Sequence, residues 1–376
     1  MIRPRVAVIG LGSVGSMALW RLAARGVEAV GYERFSPGHD RSAHGGESRL
    51  FRTAYLEDPG YVPLLRRARE LWQRLEAESG ASLLRLTGML MIGSAGSDDM
   101  ANVFSSVERY GVDAETVPLH EARARWPQHA FREDDVIVLD REAGYLRPEL
   151  SVLHAATRAR ERGAIVHRYT TVTALDVRDD GVRVRTGSGS ERFDHAVVTA
   201  GPWAAKVLAG LAPYVSVRRP VSAWFPARTP ELFAPERFPP FIRSTPTDCY
   251  GVPALDGSGV KLGLSEKDNR PVDDPDSLDR HVPIDEVDAF RKVAADYFPD
   301  LFADPIRVSA YMEGYTPDGH GLVGPAEGSG RVTVVAGLSG HGFKLAPALG
   351  DIAADYAVDG TSAHTLDLLD PGRYPG

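Results

Sequence analysis

Cysteine is nearly absent: Cys249 is the sole one in 376 residues. No internal disulfide can form and no cysteine-built metal site exists, which leads us to expect a reducing cytoplasm. No metal site of any kind is expected. Lysine is scarce as well. Of 43 Lys and Arg residues, only Lys206, Lys261, Lys267, Lys292 and Lys344 are lysine. GC-rich coding would produce such an excess of Arg, Ala and Gly, so each surviving lysine invites a chemical question. Basic runs and aromatic-basic interleaving are missing, and the net charge is −8, which argues against a nucleic-acid partner. No apolar stretch approaches a membrane span, so no membrane association is expected. Arg3 and Arg5 before an apolar run superficially resemble a leader, but the run is short and leads into a glycine motif, so it reads as a first strand. The ending Arg373-Tyr374-Pro375-Gly376 is not a peroxisomal address. Internal repeats and low-complexity segments are also lacking.

What is present begins at the N-terminus. The chain is 43% hydrophobic and long enough for two domains. Val6 to Ile9 is wholly apolar, as in a strand buried on both faces. Gly10, Gly12 and Gly15 follow with the spacing G-x-G-x-x-G, and Ser13 to Arg25 reads as a helix ended by Gly26. The first glycine permits the tight turn, the second lets backbone approach a pyrophosphate, and the third lets helix and strand pack closely. The helix start offers free N–H groups and a positive dipole end to phosphate. A second strand, Glu28 to Tyr32, ends in Glu33, about 20 residues beyond the glycines, where a carboxylate can accept ribose hydroxyls. Glu33 disfavours a 2′-phosphate. On this evidence NAD and FAD both remain open.

Further along, Ser36 to Glu47 reads as a loop. Arg49 and Arg52 would share a face if their segment were helical. Tyr61–Ser79, Asp98–Tyr110, Leu119–Trp126, Pro148–Arg162, Ile284–Phe298 and Leu345–Val358 read as helices. Leu84–Ile92, Val136–Leu139, Thr171–Val177, Val182–Arg185, His195–Thr199, Arg307–Tyr315 and Arg331–Ala336 read as strands, and Tyr214–Ala227 and Phe241–Leu264 are strand-rich. Ala200-Gly201-Pro202-Trp203 breaks a strand and opens a short helix. Gly337 to Gly342 is a second glycine-rich turn. Rossmann-type pieces at the start, middle and end, separated by strand-rich insertions, suit a discontinuous FAD domain better than a contiguous NAD domain.

Here the chain resembles the monomeric sarcosine oxidase and N-methyltryptophan oxidase family within the D-amino-acid oxidase superfamily. The resemblance runs from Val6 to about Leu369. It rests on Gly10-Leu11-Gly12-Ser13-Val14-Gly15, on Ser48-Arg49-Leu50-Phe51-Arg52 with Ala54-Tyr55 and Glu57, and on Glu70-Leu71-Trp72. Ala200-Gly201-Pro202-Trp203, Tyr250-Gly251, Lys261-Leu262-Gly263 and Gly337 through Lys344 complete it. It implies an α/β fold: a discontinuous Rossmann-type FAD-binding domain (1–82, 145–213 and 318–376) plus an α+β substrate domain with a large mixed sheet (83–144 and 214–317). The cofactor contacts it implies are Gly10, Gly12, Ser13, Val14, Gly15, Glu33, Arg34, His44, Ser48, Arg49, Val172, Ala200, Gly201, Trp203, Gly340, His341, Gly342, Phe343 and Lys344. Val172 would back the adenine, Arg49 would lie close to the isoalloxazine, and the 340–344 loop would pass its pyrimidine end. Arg52 and Lys344 match the pair holding a substrate carboxylate, Tyr250 a substrate-contacting tyrosine, and Lys261 the oxygen-activating lysine. His44 matches a position near the flavin loop, but a histidine in a polar loop is more often simply solvated; His341 is equally structural.

The chemistry of these residue types agrees. A carboxylate is well held by an arginine fork plus a lysine point charge. Positive charge nearby also favours the neutral substrate amine. Reduction of oxygen begins with an anion, so a preorganised ammonium lowers that barrier, and Lys261 is the candidate. Three positions depart from the family. Tyr311 stands where many members carry the flavin-linking cysteine, so FAD is expected without a covalent bond. Glu313 replaces an active-site tyrosine. Ser265 and Gly45 each replace a histidine. The expectation is an FAD-dependent oxidase of a secondary or cyclic amino acid using O2, with Lys261, Arg49, Tyr250 and Glu313 as the catalytic set, acting as a cytoplasmic monomer. A flavin dehydrogenase, a D-amino-acid oxidase, a flavin-binding scaffold and an NAD-dependent dehydrogenase are the alternatives, in that order.

Overall fold

The computed structural model describes residues 4–41, 43–257, 259–264, 269–326 and 328–374; Ser265 lies outside them. The glycine motif forms as the sequence dictates: β1 (Arg5–Ile9), α1 (Ser13–Ala24) and β2 (Glu28–Tyr32). A six-stranded sheet runs in the order Leu322–Pro325, Val332–Ala336, His195–Val198, β1, β2, Ile165–His167. Its neighbours are parallel except the first pair. Side chains alternate across it. Val6 and Val8 join the core beneath α1 and the helices Pro148–Glu161 and Ala346–Asp359. Ala7 and Ile9 join Val182, Val184 and Phe193 of a three-stranded antiparallel sheet on the opposite face. Burial on both faces is why β1 is apolar at successive positions. Gly350 brings Ala346–Asp359 against α1, since a Cβ there would lie 2.6 Å from Ala18 N.

The second large sheet has eight strands, all antiparallel neighbours except Met89–Gly93 with Phe241–Arg243. Phe233, Phe238, Phe241 and Phe298 fill the core between it and the helix Ile284–Tyr297. Cys249 is sealed in this core, and burial pushes its thiol up to about 12. Among the described residues no helix is long and apolar enough to cross a membrane.

Several segments differ from the expected elements. Residues 49–51 form a strand, β3 (Arg49–Phe51), paired with Gly144–Leu146. Arg49 and Arg52 are thus separated along an extended chain and share no helix face. Leu84–Ile92 is two strands in different sheets, divided at Gly88 with φ +78°. Arg307–Tyr315 also divides, into Arg307–Ala310 and Glu313–Tyr315. Its partner chain divides at the same level, because Pro220 separates Ser216–Arg219 from Val221–Phe225. Proline has no N–H to continue a ladder, and its carbonyl accepts from Tyr311 N at 2.9 Å. Both chains therefore change sheets together. Ile165–His167 and Gly189–Phe193 are strands that carry no clear period-2 pattern and form by edge pairing.

Candidate active site

The strands β1 and His195–Val198 are adjacent, and the connections from their C-terminal ends leave in different directions. That is the topological switch point at which open α/β sheets bind ligands. A cavity of about 310 Å³ opens there, lined by Gly10, Gly12, Ser13, Glu33, Val172 and Trp203 among others. Gly10 has φ +88°, and a Cβ on it would lie 2.8 Å from Thr199 O. A Cβ on Gly15 would lie 1.8 Å from Gly10 O, so α1 seats on the turn only with glycine. Buried Glu33 accepts from Leu11 N and Phe35 N, both at 2.8 Å. These bonds fix its carboxylate at the cavity wall.

A second, narrower cavity of about 60 Å³ continues from Ser13, Thr199 and Gly201 to Arg49, Glu313 and the 337–343 turn. A third, of about 560 Å³, shares Arg49, Glu313, Gly340 and Phe343 with it and extends past Arg52, Tyr250 and Lys344. The three run end to end as one trough. The helix α2 (Val62–Ser79), ended by Gly80 in the left-handed region, positions its far wall. Trp72 Nε1 donates to Lys344 O at 3.0 Å, and its ring stacks on Phe343 at 5.6 Å.

Arg34, His44, Ala200 and Gly201 also line the first cavity. Val14 and Gly342 line the second. His341 faces the third. Among the described residues, Gly15, Ser48 and Lys261 stand behind these walls rather than on them. Burial drives His44 down to about 3 and His341 to about 4, so both rings are neutral at pH 7. His341 Nε2 donates to Gly319 O at 2.9 Å, which leaves Nδ1 to accept from Tyr55 OH at 2.8 Å.

Arg52 and Lys344 come together around one ring. The Arg52 guanidinium lies 4.5 Å and the Lys344 ammonium 5.4 Å from the Tyr55 centroid. Arg52 is ion-paired with Glu57, and Lys344 Nζ donates to His341 O at 3.0 Å. Burial pushes the Glu57 carboxyl up, but Arg52 and the neighbouring cations overcome it and hold it at about 2. Lys261 lies on the strand Val260–Leu264 and is 2% exposed. Its Nζ donates to Gly46 O at 2.9 Å and Ser48 O at 3.1 Å. Burial, with Arg49 adding to it, pushes this ammonium well below the usual lysine range, and Glu149, Glu47 and Glu313 oppose the shift. Arg49 donates to Ala43 O at 2.5 Å and Ser48 O at 2.8 Å. It approaches Glu313 to 3.9 Å. Burial raises the Glu313 carboxyl against that cation, and Tyr315 OH donates to it at 3.2 Å.

Two residues have site roles that sequence reasoning did not assign. Glu57 follows Arg52 by five positions, a spacing with no periodic meaning. Buried Asp140 accepts from Thr53 N at 2.7 Å, Ala54 N at 2.8 Å and Glu142 N at 2.9 Å. It pins the segment that carries Arg52 and Tyr55, and nothing in its sequence neighbourhood signals this. Tyr311 packs beneath the 43–48 loop, where a Cβ on Gly45 would lie 2.6 Å from its ring. The aromatic at 311 explains the glycine at 45.

Residues 5–356 match the family model described as FAD dependent oxidoreductase. The chain belongs to this family. This oxidoreductase is 36% identical to monomeric sarcosine oxidase of Streptomyces avermitilis over 98% of the chain and 97% of that relative. It is 31% identical to N-methyl-L-tryptophan oxidase of Salmonella arizonae over 98% of both. Among solved structures it resembles NikD, an unusual amino acid oxidase essential for nikkomycin biosynthesis (TM-score 0.84, 23% identity, 98% of this chain and 97% of that one). It also resembles L-proline dehydrogenase from P. horikoshii (TM-score 0.85, 21% identity, 99% and 97%). At these identities the structural neighbours speak to the fold alone. The residues present fit FAD: a glycine cradle that a Cβ would fill, a carboxylate at the nucleotide end, and an elongated trough leading to a cationic chamber.

Proposed function

We propose that this FAD-dependent oxidoreductase oxidises a secondary or cyclic α-amino acid at its CH–NH group, with FAD held non-covalently and O2 as the acceptor. The products would be an imine and H2O2. The observation that carries this reading is the pair Arg52 and Lys344, set near one tyrosine ring and lining the third cavity. An arginine fork and a lysine point charge together suit a carboxylate. In this reading the six-stranded half of the chain (1–82, 145–213 and 318–376) binds the cofactor and the eight-stranded half (83–144 and 214–317) covers the substrate. Bound FAD would take the electron pair leaving the substrate carbon as hydride and pass it to oxygen.

The protein's own groups do the rest. Arg52 exchanges Glu57 for the substrate carboxylate, and Lys344, near the same Tyr55 ring, adds a second positive charge to it. These cations disfavour the ammonium form of the amine, so the neutral form needed for oxidation accumulates. Tyr250 bounds the chamber beside the substrate. Glu313, paired with Arg49 where the two cavities meet, orients the amine or balances the arginine. Lys261, fixed behind the 46–48 backbone, supplies the positive field that favours one-electron reduction of oxygen. Cys249 is sealed in the aromatic core and faces none of the described cavities, which supports a cofactor bound without a thioether.

The test is anaerobic titration of the FAD-loaded protein with N-methyl and cyclic amino acids, followed by visible spectroscopy. Bleaching that air reverses with peroxide release is the expected result. Bleaching that air leaves unreversed would make the enzyme a dehydrogenase instead. Failure to take up FAD would overturn the reading.

A further inference from the structure

The adenosine end of the trough is closed by a segment from the opposite half of the chain. After Arg270–Pro271 the chain leaves its small sheet and crosses to the first cavity before entering the helix Ile284–Tyr297. Asp276 stands at the crossing and lines that cavity together with Arg34, Phe35, Trp203 and Lys206. Its Oδ1 accepts from Trp203 Nε1 at 2.7 Å and from Arg34 Nη1. Its Oδ2 accepts from Lys206 Nζ at 2.6 Å, and Asp274 binds the same ammonium at 2.6 Å. The Arg34 guanidinium lies near two neighbouring rings, 5.5 Å from Phe35 and 5.6 Å from Trp203. A second tie lies farther along the same segment. Arg280 donates to Asp40 Oδ2 at 3.0 Å and to Asp40 O at 2.9 Å, joining it to the loop after β2.

Among the described residues, every side-chain donor to the Asp276 carboxylate belongs to the nucleotide-binding half: Arg34 follows β2, and Trp203 and Lys206 follow the strand His195–Val198. The carboxylate itself belongs to the other half. The three donors hold the Asp276 carboxyl well below the usual carboxylate range, so the contact stays charged across the working pH. Single exposed ion pairs contribute little, but several charges converging on one group act as a network.

We propose that residues 274–280 form a charge-held clasp over the adenosine end of the cofactor cavity, anchored at Asp276, and that its opening sets how fast FAD leaves. The proposal rests on the reading of FAD as non-covalently bound in this cavity. A cofactor without a covalent tie is retained by whatever closes its site. Here the closing contacts are electrostatic, so retention should depend on salt.

The experiment dilutes FAD-loaded protein and follows the fluorescence of released flavin. Asp276→Ala should speed release roughly tenfold, the effect of losing about 1.4 kcal/mol at the anchor. Asp276→Asn, which keeps an acceptor for Trp203 but loses the charge, should fall between it and the wild type. Arg280→Ala, at the second tie, should speed release by a smaller factor. Raising salt from about 0.05 to 0.5 M should speed wild-type release clearly and Asp276→Ala release much less, because of the clasp's ion pairs only Arg280–Asp40 and Lys206–Asp274 are left to be screened. Wild-type release rates in all three variants, with unaltered circular dichroism, would overturn the clasp and leave FAD binding standing. Equal salt dependence in wild type and Asp276→Ala would do the same. Should Asp276→Ala not fold, Asp276→Asn and Arg280→Ala carry the test. A wild type that takes up no flavin, or keeps it through denaturation, would sink the non-covalent FAD reading itself.

Discussion

Lys261 donates to two backbone carbonyls, which fix its position whichever charge state it holds. Removing it as Lys261→Met should slow reoxidation of the reduced enzyme by air about 10²–10³-fold, while anaerobic reduction by substrate changes far less. Stopped-flow measurement of the two half-reactions separates them, and equal loss in both would refute the role. Burial lowers this ammonium's pKa, so its charged fraction falls as pH rises through that lowered value. Air reoxidation should therefore decline with rising pH well before an ordinary lysine would titrate. Arg52→Ala should instead raise KM for an amino acid roughly 30- to 1000-fold, by leaving a carboxylate short of a charged partner. The corresponding amine without a carboxylate should feel little of this. Lys261 and Lys344 stood out as candidates because lysine is rare in this chain and both stand in motifs that resemble a family. Glu57 was not legible as a partner of Arg52, since an acid five residues from an arginine in extended chain leaves no periodic trace.

The glycine motif was the most legible element because each of its residues answers a local steric demand. Gly15→Ala would drive a methyl into Gly10 O, so α1 must shift. Loss of FAD uptake and a clearly lowered melting temperature are expected. β3 was the least legible. Two arginines three apart suited a helix, but the segment completes a small sheet with Gly144–Leu146 and Leu84–Arg85. That pairing is set by residues nearly a hundred positions away, beyond the reach of any local pattern. The same holds for the sheet change at Pro220, where an apparently continuous strand from Arg307 divides only because its partner does. The turn after β3 depends on Asp140. Asp140→Ala would leave the buried N–H groups of Thr53 and Ala54 without their acceptor, each costing about 1–3 kcal/mol, and would free the half-buried Glu142 N–H as well. Thermal unfolding should report the loss, and KM should rise as the Arg52 segment loosens. Asp140→Asn, retaining one carbonyl acceptor, should recover part of both.

At the scale of the molecule, the first cavity is lined from both halves of the chain, with Asp276 on one side and Gly10, Glu33 and Trp203 on the other. A ligand there binds the folded protein and not the unfolded chain. FAD at a hundredfold excess over its Kd should add about 2.7 kcal/mol of stability, which a calorimetric comparison of loaded and stripped protein would measure. The six-stranded sheet draws its strands from the start, middle and end of the chain, as the spacing of the Rossmann-like pieces led us to expect. The clasp between the halves was not expected, because nothing local marks Asp276 as a partner of Arg34 and Lys206. The aromatic core around Cys249 bears on durability. The thiol there is buried and held protonated, and Met17, Met89, Met91, Met100 and Met312 are buried too. Every sulfur atom among the described residues is thus shielded from an oxidant in solution. On the proposed reading the enzyme releases peroxide at each turnover and so bathes itself in an oxidant. Here the atoms most easily damaged by it are stored out of its reach, and intact-mass measurement after prolonged turnover should find them unoxidised.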